Sequence, residues 1–326
     1  MEYPQTGGLL FSGAGMKFEK TPTTIEQQLD QLSTRGMEIP DPDTTRFFLT
    51  HIGYYRLRGY WMPFEADPSS NGEHLFKPGT TFDQVLNLYT FDRELRLIII
   101  DAVERIEISV RNQWVDVLAH DDGPHAYLKS GLFQGHRQYG RSLAEIASEF
   151  ERSKERYIRH YKKKYKEPDL PPIWAIVGIM TLGQFSHWLS NLKHISTKAK
   201  IAKIYGLDES VLISFLHHLT VIRNICAHHG RLWNSELTVT MQLPRTKPQI
   251  LTGCFDYGPD PNQAPRRLYN TLVMLAYLMD LISPGNKWKH RLKALIEHHG
   301  IMTRQMGFPE DFAKRSIWAA VWQEST

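Results

Sequence analysis

Apolar residues recur at three- and four-residue steps through nearly every long segment of the chain, and no segment of that length shows the strict alternation of a half-buried strand. The clearest run opens at Thr81 and continues through Leu88, Leu95, Ile99, Ala102, Ile106, Val110, Trp114 and Val117, with no Gly or Pro before Gly123. It predicts one very long helix, or two nearly collinear ones, started by the capping box Thr81-Phe82-Asp83-Gln84. The other side of that helix carries Arg93, Asp101, Glu104, Glu107 and Arg111. Glu107 and Arg111 stand four apart and read as an intrahelical ion pair, worth about 0.3 to 0.5 kcal/mol if exposed.

Shorter helical patterns flank this one. Thr23-Thr24-Ile25-Glu26 opens a helix that Gly36 closes, and Asp43 or Thr44 starts the next, through Phe47, Leu49 and Ile52. A loop rich in Pro, Ser, Asn and Gly follows from Asp67 to Gly79. After Gly123-Pro124 comes a weakly apolar, charged region to Tyr165, and Pro168, Pro171 and Pro172 mark a boundary before a helical pattern from Trp174 to Leu192. Asp208 or Ser210 caps a further helix whose stripe runs Val211, Leu212, Phe215, Leu219, Ile222 and Ile225, with Gly230 placed to stop it. A Pro-rich, extended insertion from Glu236 to Pro265 precedes two last patterns, Arg266 to Leu281 and Lys287 to His298. The expected organisation is all-α: a poorly ordered segment 1–20, an N-terminal helical region 21–80, a helical core 81–235, and the insertion with C-terminal helices 236–326.

Composition narrows the class. A chain of 326 residues, 41% hydrophobic and 11% aromatic, can bury a substantial core and is not disordered. Two cysteines are too few for a disulfide framework, and Cys226 falls inside an apolar helical pattern; a reducing, cytoplasmic compartment fits. The N-terminus lacks the basic start and apolar run of a secretory signal. The strongest apolar run, Leu97 to Ile100 between Arg96 and Asp101, falls far short of the ~20 residues a bilayer demands, so no membrane association is expected.

A net charge of +4 and a pI near 8.9 lean weakly towards polyanions. Local runs say more. Glu151 to Glu167 holds eight Lys or Arg against three Glu, and Lys287 to Lys293 is a second basic run with Trp288 inside it. Lys162, Lys163, Lys164, Lys287, Lys289 and Arg291 are therefore candidates to track a nucleic-acid backbone. The plainer reading of either run is a solvated helix face.

Chemistry concentrates in Arg223-Asn224-Ile225-Cys226-Ala227-His228-His229-Gly230. Arginine keeps its charge and grips phosphate with a planar fork, while histidine moves a proton near neutral pH. The spacing alone is a poor witness, since Arg46 to His51 and Arg291 to His298 also show it. Context separates them: Arg46 begins an aromatic helix and suggests packing, Arg291 sits in a basic helix, and Arg223 interrupts an apolar stripe with Asn224 behind it. Five residues advance a helix by about 140°, so Arg223 and His228 share a phosphate only if the arginine reaches forward and the last turn frays. The alternative for His228 and His229 is a C-terminal cap, favourable by up to ~1 kcal/mol. A metal site is disfavoured, because His217 and His228 would stand about 16 Å apart. No phosphate-binding glycine loop, nucleophile elbow or other cofactor motif occurs.

The segment Arg223 to Asn234, ending Gly230-Arg231-Leu232-Trp233-Asn234, resembles the signature of the Abi family of bacterial abortive-infection proteins, the AbiD/AbiF type, within the HEPN superfamily. Two further blocks resemble that family: His51 to Phe64, and Phe91-Asp92-Arg93-Glu94-Leu95-Arg96 through Asp101 to Arg111. Together they span roughly Thr21 to Asn234. The resemblance implies a HEPN-like helical bundle with additional N- and C-terminal helices, and a metal-independent endoribonuclease whose site two subunits complete. Arg223 and His228 match the superfamily's catalytic pair and Asn224 its polar neighbour, with His229 and Arg231 as supporting residues. A single motif in the chain implies a homodimer or an inactive binding protein. RNA is the implied partner, as substrate and as a regulatory or antitoxin strand. The expected reaction is attack of a 2′-hydroxyl on the adjacent phosphorus, and the rival is a non-catalytic RNA-binding or scaffold protein.

Overall fold

The computed structural model describes residues 21–66, 74–260 and 265–323. The expectation for segment 1–20, and parts of those for the 67–79 loop and the 236–265 insertion, lie outside the described residues. Among the described residues there are fourteen α-helices and no strand, only isolated bridges, so the fold is all-α. The chain divides into two compact units, one ending at Leu86 and one beginning at Asn87.

The first unit holds α1 (Ile25–Thr34), α2 (Pro42–His51) and α3 (Tyr54–Trp61). The capping box of α1 pairs Thr24 with Gln27, one residue later than the Thr23 and Glu26 pairing expected, because the first helical residue is Ile25. α2, by contrast, starts earlier than expected: the Asp41 carboxylate accepts from the Asp43 and Thr44 N–H groups, and Pro42 fills the first turn, where no N–H is needed. Arg46 is not a packing residue but a surface cation shared by Glu26 and Asp43. Arg35 ties the end of α1 to later chain, donating to the His74 carbonyl at 2.5 Å and to Glu65 at 2.6 Å, with its guanidinium 4.6 Å from the Phe76 ring centre.

α4 (Phe82–Asp122) is one unbroken helix of 41 residues. The expected box forms, with Thr81 N–H on the Gln84 side chain and Gln84 N–H on the Thr81 hydroxyl. Within the second unit Phe91, Leu95, Ile99, Ala102, Ile106, Val110 and Trp114 are buried, a stripe at the helical period.

The charged region after Gly123 folds as α5 (His136–Arg152) and α6 (Arg156–Lys164). The pattern from Trp174 to Leu192 is two helices rather than one: α7 (Ile173–Ile176) with a tight 3₁₀ turn, then α8 (Leu182–Ser190) opened by a Thr181–Gln184 capping box. α9 (Ile195–Lys203) follows, and both α8 and α9 pack on α10 (Glu209–Ala227). The insertion contains a single turn, α11 (Gln249–Thr252), before α12 (Tyr269–Ile282), α13 (Trp288–His298) and α14 (Ser316–Trp322) close the chain. α12 is buried at every position from Tyr269 to Ala276, marking the centre of this unit's core.

By length and composition α10 is the one described helix that could cross a membrane, which the sequence pattern did not anticipate. It serves here as a core helix. Val211, Leu212, Phe215, Leu216, Leu219 and Ile222 are buried against neighbours, and His218 is held by the Val239 carbonyl at 2.7 Å and the Thr271 hydroxyl at 2.8 Å.

Candidate functional site

The end of α10 presents the chemistry. His228 caps the helix, and its N–H reaches the Asn224 carbonyl. His229, at φ +59°, then turns the backbone left-handed, so that its own N–H meets Cys226 O at 3.1 Å and the Gly230 N–H meets Ile225 O at 2.7 Å. That is a Schellman ending with histidine where glycine is usual. The expectation that Gly230 supplies the left-handed stop is therefore corrected by one residue. Gly230 is small for another reason: a Cβ there would lie 3.1 Å from Ile225 Cγ2 and 3.3 Å from the Ile225 carbonyl.

A buried ion pair on α4 fastens the chain that follows. Asp92 is fully buried and accepts the Leu232 N–H at 3.0 Å and the Trp233 N–H at 2.6 Å. Arg96, 5% exposed, pairs with the other Asp92 oxygen and donates to the Gly230 carbonyl at 3.1 Å. A carboxylate with two backbone donors and a guanidinium meets most of its hydrogen-bonding capacity without water, which is the condition for keeping charge inside a core. Cys226 lies near this pair, and burial pushes its thiol up to about 12, so it is a packing residue and not a nucleophile.

Beside the helix end is a cleft of about 480 Å³ between α4 and α10, lined by Glu104, Glu107, Arg111, Arg223 and Ala227 over an apolar floor that includes Val103. Glu104, Glu107 and Arg111 were not separable from a solvated helix face in the sequence. Arg111 pairs with Glu107 and also donates to the Val177 carbonyl at 2.7 Å and the Met180 carbonyl at 2.8 Å. The expected intrahelical i,i+4 pair forms, but with side-chain exposures of 13% and 21% it is largely enclosed, and Arg111 also tethers α4 to the turn before α8. Burial lowers the Arg111 pKa, Glu107 opposes that shift, and Arg223 adds to it, so two cations face one wall. The Arg111 Nε has no partner among the described residues.

Arg223 is exposed and its guanidinium stands 3.4 Å from the Asn224 side-chain oxygen. Its cleft ends at Ala227; His228 is exposed one residue beyond and is not part of the lining. The structure thus brings Arg223 and Asn224 together and sets Arg223 beside Arg111, while His228 is exposed at the helix cap and outside the cleft lining. His229 is exposed and Arg231 half-buried, on the segment held by Asp92 and Arg96.

The basic candidates divide. Lys162 is bound to Glu151 and covers the Phe150 ring, Lys289 pairs with Asp280, and Arg291 pairs with Asp101. Lys163 and Lys287 are exposed, and Lys164 lies 5.2 Å over the Tyr165 ring. Among the described residues no three His, Cys, Asp or Glu side chains are grouped to hold a metal ion.

A family model described as Abi-like protein matches residues 47–234, a span that takes in Asp92, Arg96, Glu107, Arg111, Arg223 and His228. No curated protein and no solved structure matches the chain.

Proposed function

The chain belongs to the Abi-like family, and on that premise we propose that it is a metal-independent endoribonuclease of HEPN type. Membership brings an abortive-infection, phage-defence role as the broad class; a toxin of a toxin–antitoxin pair is the narrower form of the same reading, and a cytoplasmic location goes with it. The observation that carries the proposal is the cleft where Arg223 stands beside Arg111, at the end of the helix that His228 caps.

Single-stranded RNA carries its own nucleophile, so the protein need only manage charge and protons. The 2′-hydroxyl attacks the adjacent phosphorus, the 5′-oxygen leaves, and the products are a 2′,3′-cyclic phosphate and a 5′-hydroxyl. Arg223, oriented by Asn224, holds the non-bridging oxygens as negative charge grows on them. His228 takes or supplies the proton, and the same residue from a second copy in a homodimer supplies the opposite role. His229 and Arg231 support that helix end. Arg111 is a positioning residue: tethered by Glu107 and two carbonyls, it gives Arg223 a fixed, positive neighbour.

One observation favours the rival, a non-catalytic RNA-binding or scaffold protein. Glu104 and Glu107 share the cleft with the cations and repel an entering phosphate. The two readings separate on purified protein incubated with single-stranded RNA in EDTA. The nuclease reading requires cleavage that His228→Ala and Arg223→Ala each reduce by about two to four orders of magnitude. RNA that stays intact with the wild-type protein, or cleavage that needs added metal, sets it aside.

A further inference from the structure

A second recess of about 630 Å³ lies along α6, with Tyr157, His160, Tyr161 and Tyr165 on one wall and Pro172 and Trp174 on the other. Helical spacing places Tyr157, His160, Tyr161 and Lys164 on one face of α6 while Ile158 is buried beneath. The wall is firmly built: the Tyr161 hydroxyl donates to the Pro168 carbonyl at 2.7 Å, and its ring lies 5.1 Å from that of Tyr165. Other rings are open to solvent. Trp174 is 57% exposed, Tyr165 45% and Tyr157 43%.

Three aromatic rings left open around one recess are unusual in a chain that buries six of its other seven tryptophans. Their surroundings indicate the occupant. Lys164 shares the recess face of α6 and lies 5.2 Å over the Tyr165 ring, whereas helical spacing turns Arg156, Arg159 and Lys163 away from it; no Lys or Arg lines the recess itself, and Glu167 is the one carboxylate there. At the recess floor the His125 Nε2 has no protein partner among the described residues. Open rings with Lys164 at their edge, next to a cleft that holds Arg111 and Arg223, suit a flexible polyanion whose flat groups are free to insert, which is a single-stranded nucleic acid.

The recess also adjoins the Arg223 cleft. The Tyr157 hydroxyl sits so close to Gly178 that a Cβ there would lie 2.6 Å from it. Gly178 follows Val177, whose carbonyl holds Arg111. Tyr157 and Arg111 are near enough for each to influence the other's ionisation. We propose that Tyr157, Tyr165 and Trp174 form a stacking subsite for an unpaired base of single-stranded RNA, adjoining the Arg111 and Arg223 cleft. This deepens the ribonuclease reading and rests on it only for the identity of the neighbouring cleft. It also gives Gly178 a role, since a side chain there would displace Tyr157 from the junction.

The test is binding, kept apart from turnover. In a His228→Ala background, anisotropy of a labelled single-stranded RNA about 12 nucleotides long is compared with that of the same sequence as a duplex. Trp174→Ala and Tyr165→Ala should each weaken single-strand binding by about five- to a hundredfold, while Trp174→Phe restores most of it. Duplex binding should be weak and unchanged, because paired bases cannot leave the stack to insert. Both rings are exposed, so unaltered melting curves confirm that folding is intact. Single-strand affinity within about twofold of the parent for both alanine variants, as a peptide-binding recess would give, overturns the subsite, and so does an equal loss on the duplex or no single-strand binding by the parent. If wild-type protein fails to cleave RNA yet these losses are seen, the catalytic reading falls and the subsite stands.

Discussion

Asp92→Asn isolates the charge that holds the Gly230 to Trp233 segment. The amide oxygen of asparagine can still accept the two N–H groups that Asp92 accepts at 3.0 and 2.6 Å, so the shape of the contact survives. What disappears is the negative charge beside Arg96, which is only 5% exposed. Breaking a buried pair on one side costs about 3 to 5 kcal/mol, because the other ion is left uncompensated. At about 2 to 4 °C per kcal/mol for domains of roughly 150 to 250 residues, melting should fall by roughly 6 to 20 °C. Circular dichroism melts at pH 7 read this directly, and Arg96→Met completes a double-mutant cycle. The double variant should lose less than the sum of the singles, with a coupling on the order of 1 to 3 kcal/mol, since neither ion then stands alone. A loss below about 1 kcal/mol for Asp92→Asn, together with additive singles, would refute the clamp.

His218 donates through Nδ1 to the Val239 carbonyl, so its Nε2 accepts from Thr271, and burial holds its pKa below the ordinary 6.5. The unfolded chain therefore takes up this proton more readily, and the stability the neutral ring contributes is present above about pH 6.5 and lost as the pH falls below it. Melts from pH 7 to 5 should decline less steeply in His218→Gln; parallel curves would exclude the effect. His229→Gly removes the left-handed strain at φ +59° and should raise the denaturation midpoint by an equivalent of about 0.5 to 1 kcal/mol, a gain whose absence would show that the histidine makes up for its strain. Arg111→Lys keeps the charge but cannot span Glu107, Val177 and Met180 at once, and should cost about 1 to 3 kcal/mol by urea titration. An unchanged midpoint would mean that the tether contributes nothing.

Helices were legible wherever one apolar stripe ran without interruption, as in α4 and α10. The Trp174 to Leu192 pattern misled because its period continues across Met180, and only the Thr181–Gln184 box reveals a new start. α14 went unread because its buried residues, Ile317, Trp318 and Val321, fit barely two turns. Arg223 stood out because it breaks a run of apolar residues, although the structure turns it to the exposed side of α10, where its charge costs little. Its neighbours did not, since Glu104, Glu107 and Arg111 show the same spacing whether a helix side meets water or a cleft. The clamp was hidden more deeply. Asp92 and Arg96 look like any i,i+4 surface pair until contacts 134 to 141 residues further along the chain enclose them. Gly230 misled in turn, because glycine more often marks a left-handed stop than a close approach to Ile225.

The central claim is that Arg223 and His228 act on one phosphodiester whose nucleophile is the RNA's own 2′-hydroxyl. Replacing that single hydroxyl with hydrogen at the mapped cleavage nucleotide, in EDTA, tests it most directly, with the fragment ends read by mass spectrometry. The account predicts 2′,3′-cyclic phosphate and 5′-hydroxyl ends from the ribo strand and no cut at the deoxy position. Cleavage that persists there, or ends bearing a 3′-hydroxyl and a 5′-phosphate, would contradict it.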